Sequence, residues 1–152
     1  MAALRTELAP RARIAILSNS ALVSERNIRE ALARLDFLIM KLDCGSEPVF
    51  KTYNRPCRGV TLEGITDGLE ELSQEAGLTI QTLLSSGDDG NDEEINVSHW
   101  LRRLQRIRPR SVQLYTLDRG FPARRLLPAA MPRLQEIKNE AERSGISIEI
   151  YF

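Results

Sequence analysis

Between Ile14 and Phe152 the chain repeats one pattern: a short aliphatic and β-branched run, a polar turn, then a stretch with helical periodicity. The runs are IAIL from Ile14, FLIMKL from Phe37, LTIQTLL from Leu78, SVQLYT from Ser111 and ISIEIYF from Ile146. Runs of this length and composition read as buried strands. A helix between successive strands leaves no room for hairpins, so the strands must run parallel with right-handed crossovers. The predicted fold is α/β, with about five parallel strands and crossover helices. A doubly wound sheet and part of a TIM-type (β/α) barrel both satisfy this pattern.

The helices carry their own punctuation. Ser24 is placed to cap a helix with Ile28, Leu32 and Leu35 on one face, and Glu47-Pro48 can open a short one. Thr61 caps a longer helix whose apolar face is Leu62, Ile65, Leu69 and Leu72, with Gly77 at the position of a C′ glycine. A fourth helix is expected from Ser98 to Ile107, closed by Pro109, and a fifth near 133–143, ended by Gly145. No linker or composition break interrupts the 152 residues, so the chain reads as a single α/β domain, 1–152.

Composition narrows the chemistry. Lys+Arg and Asp+Glu balance at 21 each, which gives no electrostatic case for a polyanion or a membrane surface. No apolar run approaches the roughly 18 residues of a membrane span, and the N-terminus lacks the apolar core of a secretory signal. Cys44 and Cys57 fit a reducing cytoplasm; two thiols alone complete neither a structural zinc site nor an iron–sulfur cluster. The lone histidine, His99, and the absence of a nucleophile motif exclude hydrolase triads. In SSGDDGNDEE a calcium loop starting at Asp88 would need glycine where Glu93 stands. Arginines 102, 103, 106, 108 and 110, with Arg119, Arg124 and Arg125 further on, form a basic cluster without the aromatic interleaving that base stacking uses.

Ligands of parallel α/β folds gather at the carboxyl ends of the strands. Those ends read Ser18-Asn19-Ser20, Lys41-Leu42-Asp43-Cys44-Gly45, Ser85-Ser86-Gly87-Asp88-Asp89 and Thr116-Leu117-Asp118-Arg119-Gly120. Lys41, Gln81 and Gln113 also sit within the strands themselves, and a dry core would not accommodate them.

Taken in order, Ser18-Asn19-Ser20, Lys41-Leu42-Asp43, Asn54-Arg55-Pro56, Asn91-Asp92 and Gln113-Leu114-Tyr115-Thr116 with Asp118-Arg119 resemble the radical SAM superfamily. Within it, the similarity is to iron–sulfur oxidoreductases resembling the tRNA wybutosine-synthesis enzymes. The resemblance spans roughly residues 13 to 152. It departs from the family in lacking the CxxxCxxC loop and the Gly-Gly-Glu segment, and in having Ser20 where the family's turn has glycine. It thereby implies the C-terminal portion of a partial (β/α) barrel, which cannot bind a cluster alone.

The same resemblance implies cofactors, S-adenosylmethionine and a [4Fe-4S] cluster, the latter on cysteines outside this chain. It implies that Asn19, Lys41, Asp43 and Asn91 contact the cofactor and that Gln113, Asp118 and Arg119 face the substrate, with Gln81 lining the interior. It identifies no catalytic residue and no metal ligand. A small-molecule or tRNA-type substrate, and self-association or an N-terminal partner segment at the exposed first strand, complete the expectation. The alternative is a non-catalytic α/β module that binds a small metabolite or a partner protein.

Overall fold

Strand pairing decides between the two architectures left open by the sequence. The computed structural model describes residues 9–118 and 125–151. Its elements are β1 (Ala15–Ser18), α1 (Arg26–Leu32), β2 (Phe37–Lys41), α2 (Glu47–Tyr53), α3 (Leu62–Glu75), β3 (Leu78–Ser86), α4 (Glu94–Ile107), β4 (Ser111–Thr116), β5 (Leu127–Pro128), α5 (Met131–Arg143) and β6 (Ile148–Tyr151). Five strands lie parallel in the order β1-β2-β3-β4-β6. That order follows the chain without the reversal of a doubly wound sheet, so the architecture is that of a partial (β/α) barrel. The one addition is β5, a two-residue strand antiparallel to the end of β3, too short to leave a periodic signal.

Alternation along the strands separates two faces. Leu38, Met40, Leu78, Ile80, Val112, Leu114 and Ile148 are buried and join the helices in one core. Leu62, Ile65, Leu69 and Leu72 of α3 enter it as the periodicity predicts, and Val97, Trp100, Leu101, Leu104 and Ile107 of α4 enter beside them. Each fully buried leucine or isoleucine contributes about 1.5–3 kcal/mol. Trp100, 1% exposed, also donates its indole N–H to the Leu42 carbonyl at 2.9 Å, fixing α4 against the end of β2.

Local details depart from the sequence expectation for identifiable reasons. Thr61 caps α3 by accepting from the Gly64 N–H at 3.1 Å, as expected. Ser24 does not cap α1, which starts behind Glu25 without a side-chain cap. Instead the buried Arg29 guanidinium gathers the Val23 and Ser24 carbonyls at 2.9 and 2.7 Å and pairs with Glu71 of α3. Gly77 is not in the left-handed region, because Ala76 is already extended and the chain runs straight into β3. Helix α4 begins at Glu94 and not at Ser98; the acidic composition of Glu93-Glu94 disguises a first helical turn. Gly145 closes α5 at φ 78°, with the Gly145 and Ile146 N–H groups returning to the Glu142 and Ala141 carbonyls.

Gly45, in the loop after β2, is required by space. A Cβ there would lie 2.1 Å from the Trp100 amide nitrogen and 2.2 Å from the Asn96 carbonyl oxygen, both helix backbone that cannot move aside. Gly45→Ala is expected to lower the unfolding free energy by about 3 kcal/mol or more, read from urea unfolding. Gly59→Ala, at φ 90° with open space around it, is expected to cost only about 1–2 kcal/mol.

Candidate functional site

The face of the sheet opposite the helices is built in register. Lys41 pairs with Gln81, Gln81 with Gln113, and Gln113 with Glu149, so one lateral row crosses four strands. The row begins with a cation on β2, passes two neutral amides, and ends with a carboxylate on β6. The Gln81 amide donates to the Gln113 amide oxygen at 3.2 Å, and the Tyr115 hydroxyl donates to the Gln81 amide oxygen at 3.3 Å. The next row toward the carboxyl ends is Leu83, Tyr115 and Tyr151; the row before it pairs Thr79 with Ser111, whose hydroxyls are 3.1 Å apart. Polar groups that a dry core would reject are therefore concentrated on one face.

Behind this face the loops after β2 and β3 are cross-linked. The Asp43 carboxylate, 4% exposed, accepts from the Leu83 N–H at 2.9 Å and from the Asn54 side-chain amide at 2.9 Å. Lys41 Nζ stands 3.5 Å from the same carboxylate. Asn91, fully buried, donates to the Asp43 and Leu83 carbonyls at 2.7 and 2.9 Å and accepts from the Ser85 N–H at 2.8 Å. Asn96 continues the chain of bonds, donating to the Asn91 carbonyl and accepting from the Gly45 and Ser46 N–H groups. The Tyr53 and Ser85 hydroxyls are 3.1 Å apart, and burial pushes the Tyr53 phenol up to about 12.

The residues singled out from the sequence fall into two groups. Asn19, Lys41 and Asp43 line one small cleft of about 90 Å³ together with Asn54 and Phe50. Gln113 and Asp118 line a separate depression of about 470 Å³ with Gln81, Tyr115, Tyr151 and Leu17. Asn91 lies behind Asp43, with its side-chain amide bonded to backbone. Arg119 and Arg124 lie outside the described residues. Asn19 is exposed and accepts from the Ala21 N–H at 3.1 Å, which shapes the turn leaving β1. Ser20 holds φ 65° and donates its hydroxyl to the Lys41 carbonyl at 2.8 Å. Glu149 and Tyr151 escaped the sequence reading, although ISIEIYF places Glu149 and Tyr151 on one face and Ile148 and Ile150 on the other.

The thiols and arginines have structural settings. Cys44 is buried, its Sγ 3.1 Å from the Asn54 amide oxygen, and burial with the Asp43 charge pushes the thiol far up. Cys57 is exposed. Among the described residues, no group of three or more His, Cys, Asp or Glu side chains is arranged to hold a metal ion. Arg103 and Arg106 clamp α4 to α3: Arg106 meets Glu63, Asp67 and Glu70 at 2.6 to 2.9 Å, and Arg103 meets Glu63 at 2.7 Å. The paired guanidinium groups hold the Glu63 carboxyl below its ordinary range. Arg103 also donates to the Gly45 carbonyl at 2.8 Å, bracing the loop after β2 from outside. Asp88 and Asp89 stand 3.6 and 3.4 Å from Arg125. No described helix is long and apolar enough to cross a membrane.

No family model matches the chain. A curated relative, the UPF0026 protein slr1464 of Synechocystis sp. (strain ATCC 27184 / PCC 6803 / Kazusa), is 32% identical over 114 residues; the match covers 74% of this chain and 42% of the relative. A radical SAM methyltransferase from Sphaerobacter thermophilus superposes with TM-score 0.66 at 20% identity, over 88% of this chain and 39% of that one. A domain of pyruvate-formate lyase-activating enzyme from Bacteroides vulgatus ATCC 8482 superposes with TM-score 0.76 at 14% identity, over 99% of this chain and 88% of that one. The chain thus spans about two fifths of the first two proteins. It has the fold of part of that radical SAM methyltransferase.

Proposed function

We propose that the chain is the cofactor- and substrate-binding part of a radical SAM-type iron–sulfur oxidoreductase, acting in the cytoplasm on a small-molecule or tRNA-type substrate. The observation that carries this reading is the in-register row Lys41–Gln81–Gln113 on the open sheet face, beside the carboxyl ends of the strands. S-adenosylmethionine fits this donor set. Lys41 can neutralise a carboxylate, Asn19 is exposed to reach a hydroxyl or amine, and the amides can hydrogen-bond a ribose or an exocyclic group. Asp43 and Asn91 act differently from Lys41. Their hydrogen bonds run to Leu83, Ser85 and Asn54, so they position Lys41 and the loops around a ligand. Gln113, Asp118 and Arg119, the last outside the described residues, are the substrate-binding residues in this reading.

The cluster does not fit these residues. Cys44 is buried with a raised thiol, Cys57 is exposed, and among the described residues no group of three or more His, Cys, Asp or Glu side chains is arranged to hold a metal ion. When supplied by other polypeptide, cluster and S-adenosylmethionine together provide one-electron chemistry. This chain's part is to bind, orient and exclude water. On that basis the chain is inactive alone, and the exposed β1 edge is where a partner segment or a second copy would join.

A second reading, a non-catalytic α/β module that binds a metabolite or partner, has its own support. The pyruvate-formate lyase-activating enzyme domain is nearly coextensive with this chain and was crystallised as a domain. Calorimetric titration with S-adenosylmethionine separates the two. Saturable binding is expected, and Lys41→Ala is expected to weaken it about tenfold, the worth of one charge-assisted hydrogen bond. Absence of binding at millimolar ligand would favour the module.

The positioning role assigned to Asn91 has a distinct signature. Asn91→Ala leaves the Ser85 N–H and the Asp43 and Leu83 carbonyls without that partner in a buried setting, so unfolding in urea should become easier by about 3 kcal/mol. An Asn91→Ala protein of unchanged stability that binds S-adenosylmethionine more weakly would make Asn91 a ligand contact.

A further inference from the structure

We infer that the depression between β3, β4 and β6 takes the cationic end of a small ligand, an amine or an alkylated ammonium group. The inference rests on the reading above, in which this is the substrate side. The depression, about 470 Å³, is lined by Tyr115 and Tyr151, by the Gln81 and Gln113 amides, by Leu17 of β1 and Thr116, and by one carboxylate, Asp118. Asp118 is exposed and makes no hydrogen bond or ion pair among the described residues. No Lys or Arg of the described residues lines the cavity.

Two features supply what a cation needs and a neutral or anionic group does not. Aromatic faces attract cations through the ring quadrupole, and both rings are fixed by their hydroxyls. The Tyr151 hydroxyl donates to Glu149 at 2.5 Å and the Tyr115 hydroxyl to the Gln81 amide at 3.3 Å. Glu149, in register with Gln113, adds a second negative charge at the edge of the same face. The row therefore has polarity along its length. Lys41 stands at one end and Glu149 at the other, three strand spacings away, or about 14 Å. A ligand lying along it meets the Lys41–Asp43 pair first and the carboxylates of Asp118 and Glu149 last, which favours a positive group at β4 to β6. A polyanion would meet a Lys41 already paired with Asp43, and repulsion at Asp118 and Glu149.

Nuclear magnetic resonance of the full chain, 15N-labelled, tests this with tetramethylammonium and ethylammonium chloride against sodium chloride and sodium phosphate at matched ionic strength. Saturable shifts centred on residues 113–118 and 149–151 are expected for the ammonium probes alone. Asp118→Asn should weaken them at least about fivefold, and Tyr151→Leu should do the same without changing the shifts near Lys41. Neither residue is buried, so neither variant is expected to unfold the chain. Equal shifts with phosphate, or an unchanged Asp118→Asn protein, overturn the inference. Repeating the titration with S-adenosylmethionine present identifies the source of the cation. Retained ammonium binding supports a separate substrate site, whereas competition would assign the depression to the sulfonium or ammonium of S-adenosylmethionine and overturn the substrate assignment. If S-adenosylmethionine does not bind but the ammonium probes do, the cofactor reading fails and the cation site stands.

Discussion

The hydrogen bonds between Asn91, Asp43 and the end of β3 are the constraint on which the site depends. Loops at the carboxyl ends of parallel strands have no ladder partner of their own, and their backbone groups need satisfaction from somewhere. Here one buried asparagine serves three backbone groups and one carboxylate serves another, so two loops far apart in sequence behave as one rigid piece. The consequence reaches outward. Asn96 extends the same bonds into α4, Trp100 pins α4 to Leu42, and Arg103 returns from α4 to Gly45. Gly45 must remain glycine because this closure brings its Cα against the α4 backbone.

Two kinds of charge organisation coexist in the molecule. On the helix layer, arginines are matched by carboxylates one helix away, which holds α3 to α4 and neutralises much of a cluster that looks basic in the sequence. On the open sheet face, Lys41 is paired with Asp43 at one end of the row, and neutral amides separate that pair from Glu149 at the other.

The fold was legible because strand and helix signals rarely conflict in this chain. FLIMKL, LTIQTLL and SVQLYT are strands wherever they are placed, and the face Leu62, Ile65, Leu69 and Leu72 admits only a helix. Polar residues inside strands, Lys41, Gln81 and Gln113, lie in register on the open face, since alternate positions share a face. What escaped the reading depended on distant partners. Ser24 lost its capping role to Arg29, whose own setting requires Glu71 of another helix. The start of α4 was hidden by acidic residues that also suit a loop. The internal engagement of Asn91 could not be read locally, because its partners come from β3 and from the loop after β2. Glu149 was readable from alternation in the last strand, but nothing local said that β6 lies beside β4.

Ser20 holds a left-handed turn at little net cost. A non-glycine residue at φ 65° costs about 1–2 kcal/mol, and the hydroxyl bond to the Lys41 carbonyl returns about 1 kcal/mol. The two nearly cancel. A glycine-to-serine exchange in this turn is thus close to neutral for the fold. The bond also gives the turn something glycine cannot, a side-chain tether from the end of β1 to the end of β2.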